Sequence, residues 1–212
     1  MAMNRRNFLR MSAALTAAGM SPSLFAATKE QFTIYGAPAM PSVTIAVAAA
    51  QGKLAKQADV ALEIWRSPDQ LRAGVASGQF KVMMSPSNVG VNLRNQGQQV
   101  GMVNILTNGI TQLMCKGDAI TSPQELVGKK ILVPFKNDMP DIVLQALLKK
   151  LNIDINKVDI TYAATPTEAI GLFLLKDFHA AILPEPMASA VVQKAKIVGT
   201  EIVRGFDLVK EW

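Results

Sequence analysis

Four short polar turns hold most of the side chains able to do chemistry. One runs Gly36-Ala37-Pro38-Ala39-Met40-Pro41-Ser42, and a second is Ser85-Pro86-Ser87-Asn88. The third, Pro134-Phe135-Lys136-Asn137-Asp138-Met139-Pro140, carries an amide and a carboxylate, and the fourth sets Glu185 between Pro184 and Pro186. Each follows an apolar segment and enters a helical pattern. Backbone N–H groups left unpaired at a helix start, beside small hydroxyls and amides, hold a small anion or other polar solute. The chemistry these turns suit is binding. Bond-breaking lacks its parts: the chain has one His and one Cys, and neither His179 nor Cys115 stands beside a nucleophile or base motif. The same counts exclude a disulfide framework and nearly all zinc constellations, so no metal and no cofactor is expected. The expected ligand-facing residues are Pro38, Met40, Ser42, Ser85, Ser87, Asn88, Phe135, Asn137, Asp138 and Glu185.

Each has a plainer reading. Ser42, Ser67, Ser85, Ser87 and Thr165 serve equally as N-caps, worth about 1 kcal/mol each. Lys136 and Asp138 fit solvated loop charges, and Glu185 a helix-start carboxylate favoured by the dipole. Met40 and Phe135 suit either a core or the apolar wall of a ligand site. Trp65 and Arg66 read as packing and surface, and His179 and Cys115 as structural.

The elements that position these turns alternate. Phe32–Tyr35, Val60–Trp65, Lys81–Met84, Val100–Leu106, Lys130–Val133, Asp159–Tyr162 and Ala180–Leu183 read as strands, with helical periods between most of them. The clearest helix is Pro140–Leu151: Asp138 and Pro140 mark its start, and Lys149 and Lys150 sit where the dipole favours cations. An α/β chain with mainly parallel strands follows. Ser67-Pro68-Asp69-Gln70 and Thr165-Pro166-Thr167-Glu168 are two capping boxes 98 residues apart, and Phe80/Phe178 and Pro86/Pro184 repeat that offset. Two similarly built lobes are expected, 28–112 and 113–198, followed by a return segment towards the first lobe over 199–212.

The chain of 212 residues is 50% apolar and 18% charged, too apolar for disorder, and no apolar run is long enough to span a membrane. Arg5, Arg6, Phe8, Leu9 and Arg10 precede a mild Ala-rich stretch and the small residues Ala26 and Ala27. This is the pattern of an export signal over residues 1–27, of twin-arginine type, and it predicts a periplasmic protein. Without those three arginines the basic excess falls from six to three, and the remaining basic residues are scattered. Nucleic-acid binding is therefore excluded.

Read in order, Val60-Ala-Leu-Glu-Ile-Trp65, Ser67-Pro-Asp-Gln-Leu-Arg-Ala-Gly-Val-Ala-Ser-Gly78, Leu126-Val-Gly-Lys-Lys-Ile-Leu-Val-Pro134, Ala180-Ala-Ile-Leu-Pro-Glu-Pro-Met-Ala188 and Phe206-Asp-Leu-Val-Lys-Glu-Trp212 resemble the periplasmic solute-binding proteins of ABC importers, in the branch that serves nitrate, sulfonates and thiamine precursors. The resemblance implies a two-lobed, type II periplasmic-binding-protein-like fold. It further implies a small-molecule solute, anionic or heterocyclic, captured by lobe closure, and a membrane permease as partner. A monomer is expected. Relatives continue beyond this length, so a C-terminally truncated chain with an incomplete first lobe is expected. Two alternatives stand beside this one: a non-transporting sensor or degenerate fragment that binds a protein partner, and an enzyme resembling thiamine-pyrimidine synthases, for which the reactive residues are lacking.

Overall fold

Strand β1 (Glu30–Gly36) opens the computed structural model, which describes residues 29–208, 210 and 211. The export signal expected over residues 1–27 lies outside them. After β1 come α1 (Pro41–Gln51), α2 (Lys53–Gln57), β2 (Ala58–Ile64), α3 (Pro68–Ala76), β3 (Val82–Met83) and α4 (Ser87–Asn95). The three strands form one sheet in the order β2-β1-β3, with β1 and β3 parallel and Tyr35 opposite Met83. Its core holds Tyr35, Trp65, Leu71, Val75, Phe80, Val89 and Leu93. Tyr35 and Phe80 stack at 3.6 Å between ring centroids. Phe80 also lies over Gly74 of α3 so closely that a Cβ there would come within 2.5 Å of the ring.

The second sheet is built from β4 (Thr111–Lys116), β5 (Lys130–Pro134), β6 (Asp159–Ala163), β7 (Ala180–Pro184) and β8 (Ile202–Arg204), with α5 (Met139–Lys150), α6 (Pro166–Leu175) and α7 (Met187–Ile197) packed on it. Its order is β6-β5-β7-β4-β8. β5 runs parallel to β6 and β7, whereas β4 is antiparallel to both β7 and β8. Strands covered on both faces read as continuous apolar runs, and alternate residues divide between two cores. Leu113, Cys115, Ile131, Val133, Ala180 and Ile182 meet Leu144, Leu147 and Leu148 of α5. Met114, Leu132, Ala181 and Leu183 meet Ile170 and Phe173 of α6 and Val191 of α7. Each such buried aliphatic side chain contributes about 1.5–3 kcal/mol.

The 98-residue echo has a structural counterpart. Three strands in the first sheet and three in the second share one order, β2-β1-β3 and β6-β5-β7. Ser67 Oγ accepts from Gln70 N at 3.2 Å and Thr165 Oγ1 from Glu168 N at 3.1 Å. In return Gln70 and Glu168 each accept the N–H of the residue before the cap, Arg66 and Ala164, at 2.7 Å.

Two expectations need correction. Val100–Leu106 is not a strand: it runs without sheet partners, and Val103 is 99% exposed. Its β-prone composition finds no neighbour to pair with, and strand character follows pairing more than propensity. The neighbouring strand is instead Thr111–Lys116, whose polar ends conceal it in the sequence. Residues 199–212 are expected to return towards the first lobe, but of the described ones Ile202–Arg204 form β8 of the second sheet, and Phe206 and Leu208 join its core. Helix α1 is apolar all round, yet of its residues only Pro41 and Ser42 are buried.

Candidate functional site

Gly36 ends β1 in a crowded spot: a Cβ would lie 2.7 Å from Ser42 Oγ and 2.8 Å from Ile64 Cδ1, so a larger residue would have to displace them. The turn that follows folds onto itself. Ala37 O accepts from Ala39 N at 2.8 Å and from Ser42 Oγ at 2.6 Å. Ser42 is buried and its hydroxyl serves the turn; the cap position of α1 is Met40, which makes no side-chain cap bond. Pro38 is half-buried and Met40 exposed. Met40 N donates to Glu185 O at 2.7 Å, which joins the turn after β1 to the turn after β7.

The turn after β3 is anchored by Met84, whose N–H donates to Tyr35 O and whose carbonyl accepts Trp65 Nε1–H at 2.9 Å. Trp65 is thus buried packing, as read from the sequence, and it ties the ends of β2 and β3 together. Ser85 Oγ donates to Pro86 O at 3.2 Å, and Ser87 is the exposed first residue of α4. Asn88 reaches across to the second sheet. Its Nδ2 donates to Asp138 Oδ1 at 3.3 Å, while its Oδ1 is buried and has no hydrogen-bond partner.

The turn after β5 is the most constrained. Phe135 and Asn137 both have φ near +60°, a region that side chains other than Gly enter at a cost. Phe135 N–H donates to Ala163 O. Asn137, exposed, donates its N–H to Asp141 Oδ2 at 2.7 Å, and Tyr162 Oη donates to Asp141 Oδ1 at 3.0 Å. Asp141 is fully buried, so these two donors satisfy a carboxylate that could not otherwise remain there. Burial first, then the bond to Asp141, pushes the Tyr162 phenol up to about 12. The result of this bracing is that Phe135 lies against the core of the first sheet, its ring centroid 6.5 Å from that of Trp65.

Asp138 caps α5 by accepting Met139 N–H at 2.9 Å, yet it is only 2% exposed, so the solvated-charge reading does not apply. Its Oδ2 faces Arg72 Nη2 at 3.3 Å. Arg72, on α3, also pairs with Asp69 at 3.1 Å. Arg72 gives no signal in the sequence, because its spacing to Asp69 looks like an ordinary helical surface pair. Asp141, Tyr162 and Arg204 likewise give none. Glu185 is turned towards Arg204 Nη2 at 2.6 Å and Ser189 N at 3.1 Å. Burial opposes its ionisation, but the bonds from Arg204 and Ser189 outweigh that, and its carboxyl sits below the usual value.

The four turns thus meet as two pairs, 36–42 with 185 and 85–88 with 135–138. Two open grooves, of about 550 and 490 Å³, lie elsewhere. One is lined by Asn156, Asp159 and Tyr162, the other by Ile142, Gln145 and Lys149. Neither touches an expected ligand residue. Among the described residues no group of three or more His, Cys, Asp or Glu is placed to hold a metal ion. His179 Nδ1 accepts Lys130 N–H at 3.0 Å, and burial pushes the Cys115 thiol up.

A family model described as "NMT1/THI5 like" matches residues 40–172. A model of the twin-arginine translocation pathway signal sequence matches residues 2–22, and the chain is an exported, periplasmic protein. No curated protein matches. Among solved structures, the chain is similar to an ABC transporter protein from Parabacteroides distasonis, with a TM-score of 0.64 and 21% identity over 85% of this chain and 59% of that one. The periplasmic aliphatic sulphonate binding protein of Escherichia coli gives 0.59 and 13%, over 83% and 60%. The ligand-binding component of an ABC-type import system from Staphylococcus aureus, with zinc bound, gives 0.68 and 15%, over 87% and 62%. The chain therefore has the fold of these proteins and spans about three-fifths of their length.

Proposed function

The chain belongs to the NMT1/THI5-like family, and from that premise we propose that it is the extracytoplasmic solute-binding component of an ABC-type importer. One observation carries this reading. Turns at the carboxyl ends of strands in the first sheet and in the like-ordered three-strand part of the second are bonded to each other, at Met40–Glu185 and at Asn88–Asp138. Ligands of open α/β sheets sit beyond those strand ends. Closing two lobes there removes water from the solute, so that fixed donors and acceptors act in a lower dielectric. The surface presented to a membrane permease then differs between the loaded and empty states. Pro38, Met40, Ser42, Ser85, Ser87, Asn88, Phe135, Asn137, Asp138 and Glu185 are the proposed surroundings of a small anionic or heterocyclic solute. Asn88 and Asp138, bonded to each other across the two sheets, are proposed as its main polar contacts.

Binding rather than catalysis is supported by the occupied states of the two reactive side chains. Cys115 is buried with a raised thiol, and the ring of His179 braces a backbone N–H. A thermal-shift panel of nitrate, ethanesulfonate, amino acids and pyrimidines tests the proposal. A solute at a hundred times its Kd adds about 2.7 kcal/mol of stability. One or more members should raise Tm, and a flat response to every small solute would refute solute capture. The second reading, a partner-binding protein without transport, draws on the exposed apolar side chains of α1 and α4, Val43, Val47 and Val91.

A further inference from the structure

We infer that Asp138 sets the class of solute, favouring one that presents N–H donors, of amine or amidine type, over a simple oxoanion. The inference rests on the solute-capture reading and narrows it. It starts from an asymmetry among three side chains that span the two sheets. Arg72 has two carboxylates, Asp69 at 3.1 Å and Asp138 at 3.3 Å, and its side chain is 43% exposed. It can release Asp138 and remain paired and hydrated. Asp138 has no such freedom. At 2% exposure it depends on Met139 N–H, Arg72 and Asn88 for its donors. An oxoanion recruiting Arg72 and the Asn88 amide would leave a buried carboxylate beside a like charge, which is costly. A donor-bearing solute does the reverse: it replaces Arg72 on Asp138 and frees a guanidinium that still has Asp69.

Asn88 points the same way. The carboxylate fixes its amide with Nδ2 towards Asp138, because the flipped amide would set oxygen against oxygen. That leaves Oδ1 buried as an acceptor without a donor. A solute with adjacent N–H groups would serve both acceptors, Asp138 and Asn88 Oδ1. The cross-sheet bonds it would displace are long, 3.3 Å against the 2.7–2.9 Å usual for charge-assisted pairs, and so are readily exchanged.

The test measures affinity by calorimetry on the full chain, using 4-aminopyrimidine and acetamidine against nitrate and ethanesulfonate. Two variants accompany it, Asp138→Asn, which retains an N-capping oxygen, and Arg72→Gln. The expected result is binding of a nitrogen donor by the wild type, at least tenfold weaker in Asp138→Asn and unchanged or tighter in Arg72→Gln. A merely structural Asp138 would give equal binding in Asp138→Asn at a lowered Tm, which overturns the inference. Tightest binding of nitrate or ethanesulfonate, lost in Arg72→Gln, overturns it while leaving solute capture intact. Silence from all four probes, repeated across the wider panel, removes both.

Discussion

Asp141 shows how much one side chain can organise. Fully buried, it holds Asn137 N–H with one oxygen and the Tyr162 hydroxyl with the other, and so fixes a turn in which two residues with side chains have positive φ. Tyr162→Phe removes one of those donors from a buried carboxylate and should cost about 1–3 kcal/mol, read from chemical denaturation. The same pairing fixes the direction of a pH effect. The phenol has a raised value of about 12 against an ordinary 10, so the fold favours its neutral form. Its stabilising contribution is complete below pH 10 and is lost as pH rises through 12. Phenolate absorbance should show a tyrosine titrating near 12 in the wild type and absent in Tyr162→Phe. At this scale the sequence was only partly legible. Asp138 could be read as a cap from the proline two residues on, because capping is local chemistry. Arg72 could not, because its cross-sheet partner is 66 residues away and its own helix offers a nearer one.

Elements were legible where local signals and tertiary packing agreed. Both capping boxes formed with reciprocal bonds, and α5 starts at Met139, one residue before the expected Pro140, and ends at Lys150. They failed where packing decides. Val100–Leu106 has the composition of a strand without a partner, whereas Thr111–Lys116 has a partner on each side and a weak local signal. Gly74 is the opposite case, a residue that local propensity would change to alanine. In the last turn of α3 that change should gain up to about 1 kcal/mol from helix propensity alone. The Cβ would meet the Phe80 ring at 2.5 Å, and the ring is pinned from its other side by Tyr35. Gly74→Ala should therefore lose stability by about 1–3 kcal/mol. A lowered Tm, recovered in Gly74→Ala combined with Phe80→Leu, would identify the ring as the cause.

The two sheets, which share one order over three strands, are joined by bonds between their turns and by Phe135 lying against the first core. That arrangement was foreshadowed by a 98-residue spacing of capping boxes, which reports a repeated unit but not which faces of the units meet. The stretch between α4 and β4 has another consequence. Residues 101–109 are all exposed and outside any helix or strand, and from Asn95 to Cys115 the chain contains no lysine or arginine. Trypsin should therefore leave this ribbon whole, while elastase or chymotrypsin should nick it early, around Val103 or Leu106, as intact-mass spectrometry of short digests would register. The peptide bonds of this exposed ribbon are thus hidden from one common class of protease by composition alone.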